Sequence, residues 1–427
     1  MYCMNPMRCL SFMLCMVVSG MAMADTSAGL GTMVEEDAIS DALEIYQVDK
    51  EKRYTVNGTE HTIGGAFQPS VVLNGQGRIH VFFQARLDSS DDRAPKMIAH
   101  VVSEDYGATF SEPVFVYTHP LQTYAISPFL RTSESGDERI SLLTSVSIDE
   151  TLDIHKTPEA IKELLGIDMT RFKRKAAALI LEFYSDDGGA TWSRKEHYDV
   201  TDRIYSRNGK EFYVAFMNLI GQVRRIDAGP HAGRLILAGP IRGDYLPVED
   251  HARFREYSPS STIIYSDDNG ESWQFGGIIA DEKTAFEFNE ASAVPVNDGK
   301  RLLMVRRANA RNAPGKMMHY SDDGGATWGP GILTTIDSTR CLQVLEKHED
   351  MVMCSSPGHK MRSRGQIYMS RDDGKTWSKK EIEEKLFSYS TVQHLTGNYY
   401  MCAWSRGHHG EIGIAAKVFS GDWLDIE

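Results

Sequence analysis

Short runs rich in apolar and β-branched residues recur along the chain, and each is followed by a polar stretch that contains glycine. Apolar runs of this length that end in turn-forming residues are typical of β-strands. The pattern therefore predicts five strands, each leading directly into a tight turn. These predicted strands cover residues 97–102, 177–184, 261–265, 317–320 and 366–369.

The polar stretch after each strand is a repeated octapeptide of the form S-x-D-x-G-x-[ST]-[WF]. The Asp side chain can accept hydrogen bonds from nearby backbone N–H groups and Gly permits a positive φ, so each copy is predicted to be the tip of a β-hairpin. Repeats separated by several tens of residues indicate a propeller or solenoid, whose units pack only against their neighbours. The five copies are Ser103–Phe110, Ser185–Trp192, Ser266–Trp273, Ser321–Trp328 and Ser370–Trp377.

A segment with helical signals lies between the first and second copies. Thr157 is a suitable N-cap, Pro158 fits the first helical position, and Gly166 follows the apolar and charged residues as a terminator. We predict a loop insertion near residues 150–170 that carries a short helix.

The first 24 residues differ from the rest of the chain. Arg8 precedes an apolar run at residues 9–18, and Ala22 and Ala24 occupy the small-residue positions of a signal-peptidase site. A membrane anchor is the alternative, but the run is shorter than the roughly 20 residues of a spanning helix. We therefore predict a signal peptide at residues 1–24, a secreted or periplasmic protein, and no membrane span.

Composition excludes several classes of function. The chain has 427 residues and a formal net charge of −13, which would repel nucleic acids and anionic membranes. The predicted mature chain keeps three cysteines, Cys341, Cys354 and Cys402, too few for a disulfide framework. The sequence contains no zinc-binding or phosphate-loop motif, and we expect no metal and no cofactor.

The octapeptide is the Asp-box, and its recurrence in this form resembles the sialidase (neuraminidase) superfamily, whose members are six-bladed β-propellers. The resemblance covers about residues 67–424. It implies an all-β fold at residues 56–427, preceded by an N-terminal extension at residues 25–55. It also implies that the Asp-boxes are structural, because in that family they lie away from the catalytic face.

The resemblance further implies a secreted exo-glycoside hydrolase of sialidase type. Its substrate would be a glycan with a terminal acidic sugar whose anomeric carbon carries a carboxylate. That carboxylate would repel a carboxylate nucleophile. The family accordingly uses a Tyr activated by a Glu, an Asp as acid/base, and three arginines that bind the substrate carboxylate.

Two segments match the family's nucleophile and its activating base. Residues 387–391, Phe-Ser-Tyr-Ser-Thr, follow the last Asp-box and resemble the segment of the nucleophile, which assigns that role to Tyr389. Residues 289–304 begin Asn-Glu-Ala-Ser and end Leu-Leu-Met, and they resemble the segment of the base, which assigns that role to Glu290. Glu287 is a nearby alternative that we expect to be solvated.

Two of the three arginines have matching positions. Arg306 and Arg307 both follow the Leu-Leu-Met run, and counting from that run favours Arg307. The other lies in the segment that leads into the last Asp-box, where spacing to the box favours Arg362 over Arg364.

The acid/base Asp of the family lies in a loop after an early strand. Residues 77–86 resemble that strand and end at Arg86. In the loop that follows, Asp91 fits the spacing and Asp92 fits the local pattern, and both remain candidates.

The chain departs from the family at the first arginine. Phe67 occupies that position, and Ser405 occupies the position of the Glu that steadies the arginine in the family. Losing both charges together avoids burying either one unpaired. Another basic residue such as Arg86 is a candidate replacement. Two hypotheses follow: an exo-glycosidase for sialic acid or a related ulosonic-type sugar, or a catalytically silent propeller that binds glycans.

Overall fold

The computed structural model describes most of the chain after residue 37. The described residues are 38–56, 58–91, 94–117, 126–133, 135–149, 176–199, 204–207, 209–217, 219, 221–245, 260–280, 288–308, 313, 315–337, 340–359, 362–407 and 413–425. The predicted signal peptide, the predicted helical insertion, Asp92 and Glu287 lie outside these residues.

The described chain is all-β apart from one short helix, as predicted. Before the first large sheet come β1 (Leu43–Tyr46) and a hairpin of β2 (Tyr54–Val56) and β3 (Thr59–His61). Sheet 1 contains β4 (Ile63–Leu73), β5 (Ile79–Leu87), β6 (Lys96–Ser103) and β7 (Val114–Tyr117). Sheet 2 contains β8 (Ser127–Thr132), β9 (Glu138–Asp149), β10 (Ala176–Ser185) and β11 (Ser193–Asp199).

The third sheet is the largest, with seven strands. Sheet 3 contains β12 (Ile204–Arg207), β13 (Lys210–Met217), β14 (Arg224–Arg225), β15 (Leu235–Tyr245), β16 (Ser260–Ser266), β17 (Gln274–Phe275) and β18 (Ile279–Ala280). Its main path runs β12-β13-β15-β16-β17, and β14 and β18 pair beside it with β15 and β16.

Three further antiparallel sheets complete the described fold. Sheet 4 contains β19 (Phe288–Val296), β20 (Arg301–Ala308), β21 (Met317–Ser321) and β22 (Ile332–Leu333). Sheet 5 contains β23 (Leu345–His348), β24 (Met351–His359), β25 (Ser363–Ser370) and β26 (Ser378–Leu386). Sheet 6 contains β27 (Ser390–Thr396), β28 (Tyr399–Ser405) and β29 (Ile414–Ser420), and the helix α1 (Gly421–Asp425) follows it.

The outer strand of sheet 6 comes from the other end of the chain. β1 pairs antiparallel with β29, with Leu43 opposite Ala416. β1 belongs to the predicted N-terminal extension, which therefore contributes a strand to a sheet of the main domain.

Each large sheet packs against the next one in the chain. The first strands β4 and β8 are in contact, as are β19 and β23, and β23 and β27. β10 of sheet 2 contacts β13 of sheet 3, and β15 contacts β19 of sheet 4. β27 of sheet 6 contacts β4 of sheet 1, so the last sheet also packs against the first.

The five Asp-boxes form the hairpin turns that the sequence predicts. In the last copy, Ser370 Oγ donates to Asp372 Oδ1 at 2.8 Å and accepts from the Gly374 N–H at 2.8 Å. Asp372 also accepts from the Thr376 N–H at 2.9 Å and from its hydroxyl at 2.7 Å. The other four copies repeat this pattern. Burial opposes ionisation of Asp372, but these hydrogen bonds outweigh it and lower its pKa to about 2.

Turn glycines also allow neighbouring sheets to approach closely. Gly299, in the β19–β20 hairpin, has φ +71°, and a Cβ atom there would lie 2.0 Å from the backbone oxygen of Ala228, in the turn between β14 and β15 of sheet 3. Gly209, in the β12–β13 hairpin, has nearly the same φ, +72°, but a Cβ atom there would meet no atom of the described residues within 4 Å. The two positions share a backbone conformation and differ in the space available.

We expect Gly299→Ala to destabilise the protein much more than Gly209→Ala. Both substitutions strain a positive φ, but only Gly299→Ala forces two sheets apart, which adds roughly 1–3 kcal/mol. Urea unfolding of the two variants measures the difference. Equal losses of unfolding free energy would show that the contact between sheets 3 and 4 is not constrained at this point.

A stacked pair of buried histidines lies between sheets 1 and 2. His80 Nδ1 and His100 Nε2 are 3.0 Å apart, and His100 stacks on Phe82 and meets the edge of Trp192. Burial lowers the pKa of His80 to about 4 and that of His100 to about 3. Both rings are therefore neutral at pH 7.

This histidine pair should make the fold sensitive to acid. Unfolded histidines bind protons near pH 6.5, whereas the folded pair stays neutral down to about pH 4. The pair should therefore reduce the unfolding free energy by a few kcal/mol as the pH falls from about 6.5 to about 3, and Asp372 should reduce it further as the pH falls toward about 2. Urea unfolding of a His80→Leu/His100→Phe variant should show a shallower fall. Parallel pH profiles for the two proteins would contradict this assignment.

Candidate active site

The predicted site residues and the Asp-boxes lie at opposite ends of the strands. In sheets 1, 2, 4 and 5 the Asp-box follows the third strand, which runs parallel to the first. In sheet 3 it follows β16, which runs parallel to β13, so each box lies at the end where that parallel strand finishes. Tyr389 directly precedes β27, and Glu290 is the third residue of β19. Both therefore lie where first strands begin.

Tyr389, Glu290 and Arg307, which we call the Tyr389 cluster, are joined by hydrogen bonds. The Tyr389 hydroxyl donates to Glu290 Oε1 at 3.0 Å and accepts from Arg307 Nη1 at 2.9 Å. Arg307 Nη1 also forms an ion pair with Glu290 Oε2. The side chains of Arg307 and Glu290 are only 9% and 11% exposed, so little water screens these contacts.

A β-bulge places Glu290 beside Arg307. The register between β19 and β20 shifts by one residue between Phe288 and Ala291, so two residues of β19 stand opposite one of β20. The bulged residues are Asn289 and Glu290, and Arg307 is the residue opposite them. The bulge thus directs the carboxylate toward the guanidinium.

The structure distinguishes the two adjacent arginines. Arg306 is fully buried and donates from Nε to Ser261 Oγ at 2.9 Å and from Nη2 to the Phe288 carbonyl at 2.6 Å. Arg307 points to the opposite face of β20, toward Tyr389. Of the two candidates, Arg307 is the one in the Tyr389 cluster.

Electrostatics keep the Tyr389 hydroxyl protonated. Loss of hydration raises the pKa of Tyr389 above its ordinary value, although Arg307 opposes the shift. Burial alone would lower the pKa of Arg307, but Glu290 and Tyr389 raise it, so the guanidinium remains charged. The phenol therefore needs a base to become a nucleophile, and Glu290 is within hydrogen-bonding distance.

Arg362 lies beside the Tyr389 ring, in the turn between β24 and β25. Its guanidinium carbon is 5.2 Å from the ring centroid. Arg362 Nη1 donates to Ser388 Oγ at 3.2 Å and Nη2 donates to the Arg340 carbonyl at 3.1 Å. Arg364 instead points to Glu381 and is exposed.

Phe67 and Ser405 are close together, as their paired departure from the family implies. Ser405 Oγ accepts from the Gln68 N–H at 3.1 Å, and the Ser405 N–H donates to the Tyr389 carbonyl at 3.0 Å. Phe67 is 1% exposed, and the Arg86 guanidinium lies 3.6 Å above its ring. Arg86 therefore covers Phe67 at this side of the site.

The loop of the candidate acid is anchored through Arg86. Arg86 Nη1 donates to the Ser90 carbonyl at 2.7 Å, which ties the residue before Asp91 to the Phe67 side of the site. Asp91 itself is exposed. The choice between Asp91 and Asp92 stays open.

Sequence reasoning missed one charged residue next to the Tyr389 cluster. Lys316 is 1% exposed, directly precedes β21, and donates from Nζ to the Cys341 carbonyl at 2.8 Å. A single Lys before a predicted strand matches no motif. Lys316 could have been found only from its position opposite Arg307, and that position is known only once the register of β20 and β21 is known.

The sequence profile of the family described as "BNR repeat-like domain" matches residues 166–401, more than half of the chain. The chain belongs to the sialidase/BNR-repeat superfamily. A sialidase of Micromonospora viridifaciens is 30% identical over 253 residues, which are 56% of this chain and 35% of that protein. A sialidase of Paraclostridium sordellii is 32% identical over 263 residues, 61% of this chain and 56% of that protein.

Solved structures show a similarity of fold. The intramolecular trans-sialidase of Ruminococcus gnavus, solved with oseltamivir carboxylate, aligns with a TM-score of 0.59 at 15% identity, covering 86% of this chain and 96% of that one. The matches to the two sialidases above span about a third and just over half of those proteins, so they concern part of each relative.

Proposed function

We propose that this protein is an exo-acting glycoside hydrolase of sialidase type that releases a terminal acidic sugar from glycans. The observation that carries the proposal is the hydrogen-bonded Tyr389 cluster, which pairs a protonated phenol with a carboxylate base and a charged guanidinium. The sequence similarity of this chain to two sialidases supports glycoside hydrolysis as the reaction class.

The proposed reaction has two steps. Tyr389 Oη attacks the anomeric carbon as its proton passes to Glu290, while Asp91 or Asp92 protonates the leaving-group oxygen. Water, deprotonated by the same Asp, then cleaves the glycosyl–tyrosine bond, and the phenolate recovers its proton from Glu290. Two displacements retain the anomeric configuration, which NMR of the first-formed product can follow.

The arginines support an anionic substrate. Arg307 and Arg362 approach the Tyr389 hydroxyl and ring from different sheets, and Arg86 lies on the Phe67 side. The buried Arg307 Nε makes no hydrogen bond to any described residue. A carboxylate is the group that guanidinium donors bind best in this geometry.

The fold and location belong to the same proposal. We infer that sheets 1–6 are the six blades of a β-propeller, because consecutive sheets pack together and sheet 6 packs against sheet 1. We also propose export to the periplasm or exterior, which the N-terminal sequence supports. Among the described residues, no helix has the length and apolarity needed to cross a bilayer.

A glycoside panel tests the function. We expect hydrolysis of fluorogenic sialosides or of another ulosonic-type glycoside, and no turnover of neutral glycosides. Arg362→Ala should lower kcat/KM for the acidic substrate by about ten- to a hundredfold, while Arg364→Ala, which removes an exposed neighbour, should not. Binding of oseltamivir carboxylate without turnover of any glycoside would favour the silent glycan-binding alternative.

A further inference from the structure

Lys316 is a buried cation that the proposed reaction does not use. Its side chain is 1% exposed, so it cannot touch a substrate in the site. Burial lowers its pKa to about 8, because burying a charged amine costs free energy unless the charge is paired and hydrogen-bonded. A methionine would fill a similar volume without that cost.

The strand register places Lys316 next to the Tyr389 cluster. Arg306 of β20 stands opposite Met317 of β21, so the next pair in this register is Arg307 and Lys316. Directly opposite residues in antiparallel strands project from the same face, with Cβ atoms about 5 Å apart. Two cations therefore stand side by side, and Glu290 is the carboxylate paired with Arg307.

The Lys316 ammonium holds a segment on which Arg362 depends. Its Nζ donates to the Cys341 carbonyl, and the neighbouring Arg340 carbonyl accepts from Arg362 Nη2. Cys341 Sγ also lies 4.0 Å from Ser388 Oγ, the other acceptor of Arg362. Lys316 is thus connected to Arg362 by a chain of contacts that runs through the Arg340–Cys341 segment, next to Tyr389.

We infer that Lys316 is a positioning residue for substrate binding: it fixes the Arg340–Cys341 segment and, through it, places the Arg362 guanidinium for the anionic group of the substrate. This inference rests on the proposed function. The charged groups that act on Lys316 are Arg307 and Glu290 of sheet 4, with the thiols of Cys341 and Cys354. Arg307 disfavours its charge, and Glu290 favours it.

The test compares wild type, Lys316→Met and Lys316→Arg with the acidic substrate of the panel. Lys316→Met should raise KM about tenfold and change kcat less than about threefold, because one charge-assisted hydrogen bond is lost. Lys316→Arg keeps a cationic donor and should stay within about threefold of wild type in KM. In an Arg362→Ala background, Lys316→Met should have no further effect on KM, since the two residues act in one chain of contacts.

The pH profile gives a readout that a purely structural role would not move. In wild type, KM should rise above about pH 8 as Lys316 loses its proton, and this rise should be absent from Lys316→Met. If Lys316→Met fails to fold, the wild-type and Lys316→Arg profiles decide, because the arginine variant should lack the alkaline rise.

The outcomes separate the two proposals. If wild type hydrolyses the acidic glycoside but Lys316→Met leaves KM and its pH profile unchanged, or its effect adds fully to that of Arg362→Ala, the Lys316 inference is wrong and the function stands. If wild type binds oseltamivir carboxylate without hydrolysis, the function is wrong and the same comparison is made on Kd. If wild type neither binds nor hydrolyses, both are overturned.

Discussion

Tyr389→Phe should lower kcat by at least about a thousandfold and leave the fold intact. The substitution removes the oxygen that donates to Glu290 at 3.0 Å, while the ring keeps its place beside Arg362. Loss of a nucleophile or of its base costs several orders of magnitude in rate. Steady-state kinetics on the best substrate of the panel, with melting temperatures of both proteins, measure the effect.

Tyr320→Phe is the matched control for Tyr389→Phe. It also removes one tyrosine hydroxyl hydrogen bond, to the Asp373 carbonyl at 2.8 Å, but on the Asp-box face. Its kcat should match that of wild type.

Glu290→Gln should lower kcat by a factor similar to that of Tyr389→Phe, because the amide cannot accept the phenol proton. It should also reduce stability by leaving Arg307 unpaired. Near wild-type turnover in Tyr389→Phe would exclude a covalent tyrosine mechanism.

Phe67→Arg together with Ser405→Glu should improve cleavage of N-acetylneuraminic acid glycosides by about ten- to a hundredfold. A restored guanidinium would add a charge-assisted contact to the substrate carboxylate. Phe67→Arg alone should be worse than wild type, because it removes the ring under Arg86 and sets two guanidinium groups together without a carboxylate. The measurement is kcat/KM for the four proteins of a double-mutant cycle, namely wild type, the two single variants and the double variant.

The cycle also shows which residue serves the first arginine position in wild type. Strong coupling between the two substitutions is expected, because Ser405 contacts the backbone next to Phe67. Efficient wild-type cleavage of ordinary sialosides, with no gain in the double variant, would instead mean that Arg86 already fills the role. Phe67 itself is too buried to offer its ring to an apolar group of the sugar.

Local sequence patterns predicted the turns well and the side-chain contacts between paired strands poorly. The S-x-D-x-G-x-[ST] pattern specifies its own hydrogen bonds, so the hairpins followed from eight residues at a time. Arg86 stacks on Phe67 at a diagonal position of the paired strands β4 and β5, and β-bulges on both sides, between Ile63 and Gly65 and between Phe67 and Ser70, set the register there. Bulge positions shift every later side chain by one, and sequence alone does not place them.

The same limit applies to the candidate site. Matching segments brought Tyr389, Glu290 and Arg307 to attention, and the structure places them in contact. Their catalytic roles stay predictions. Lys316 escaped notice because its importance depends on the register of β20 and β21 and on the Cys341 carbonyl. Both depend on how segments that are separate in the sequence pack together in the fold.

The pairing of β1 with β29 has a consequence for biosynthesis. β1 lies near residue 45 and its partner β29 ends at Ser420, so the partner leaves the ribosome long after β1. Until then β1 has no edge to join, and sheet 6 cannot be completed. A nascent chain would thus keep sheet 6 incomplete until β29 has been made. Pairing of β1 with β29 joins two segments far apart in the sequence and would be a late step of folding.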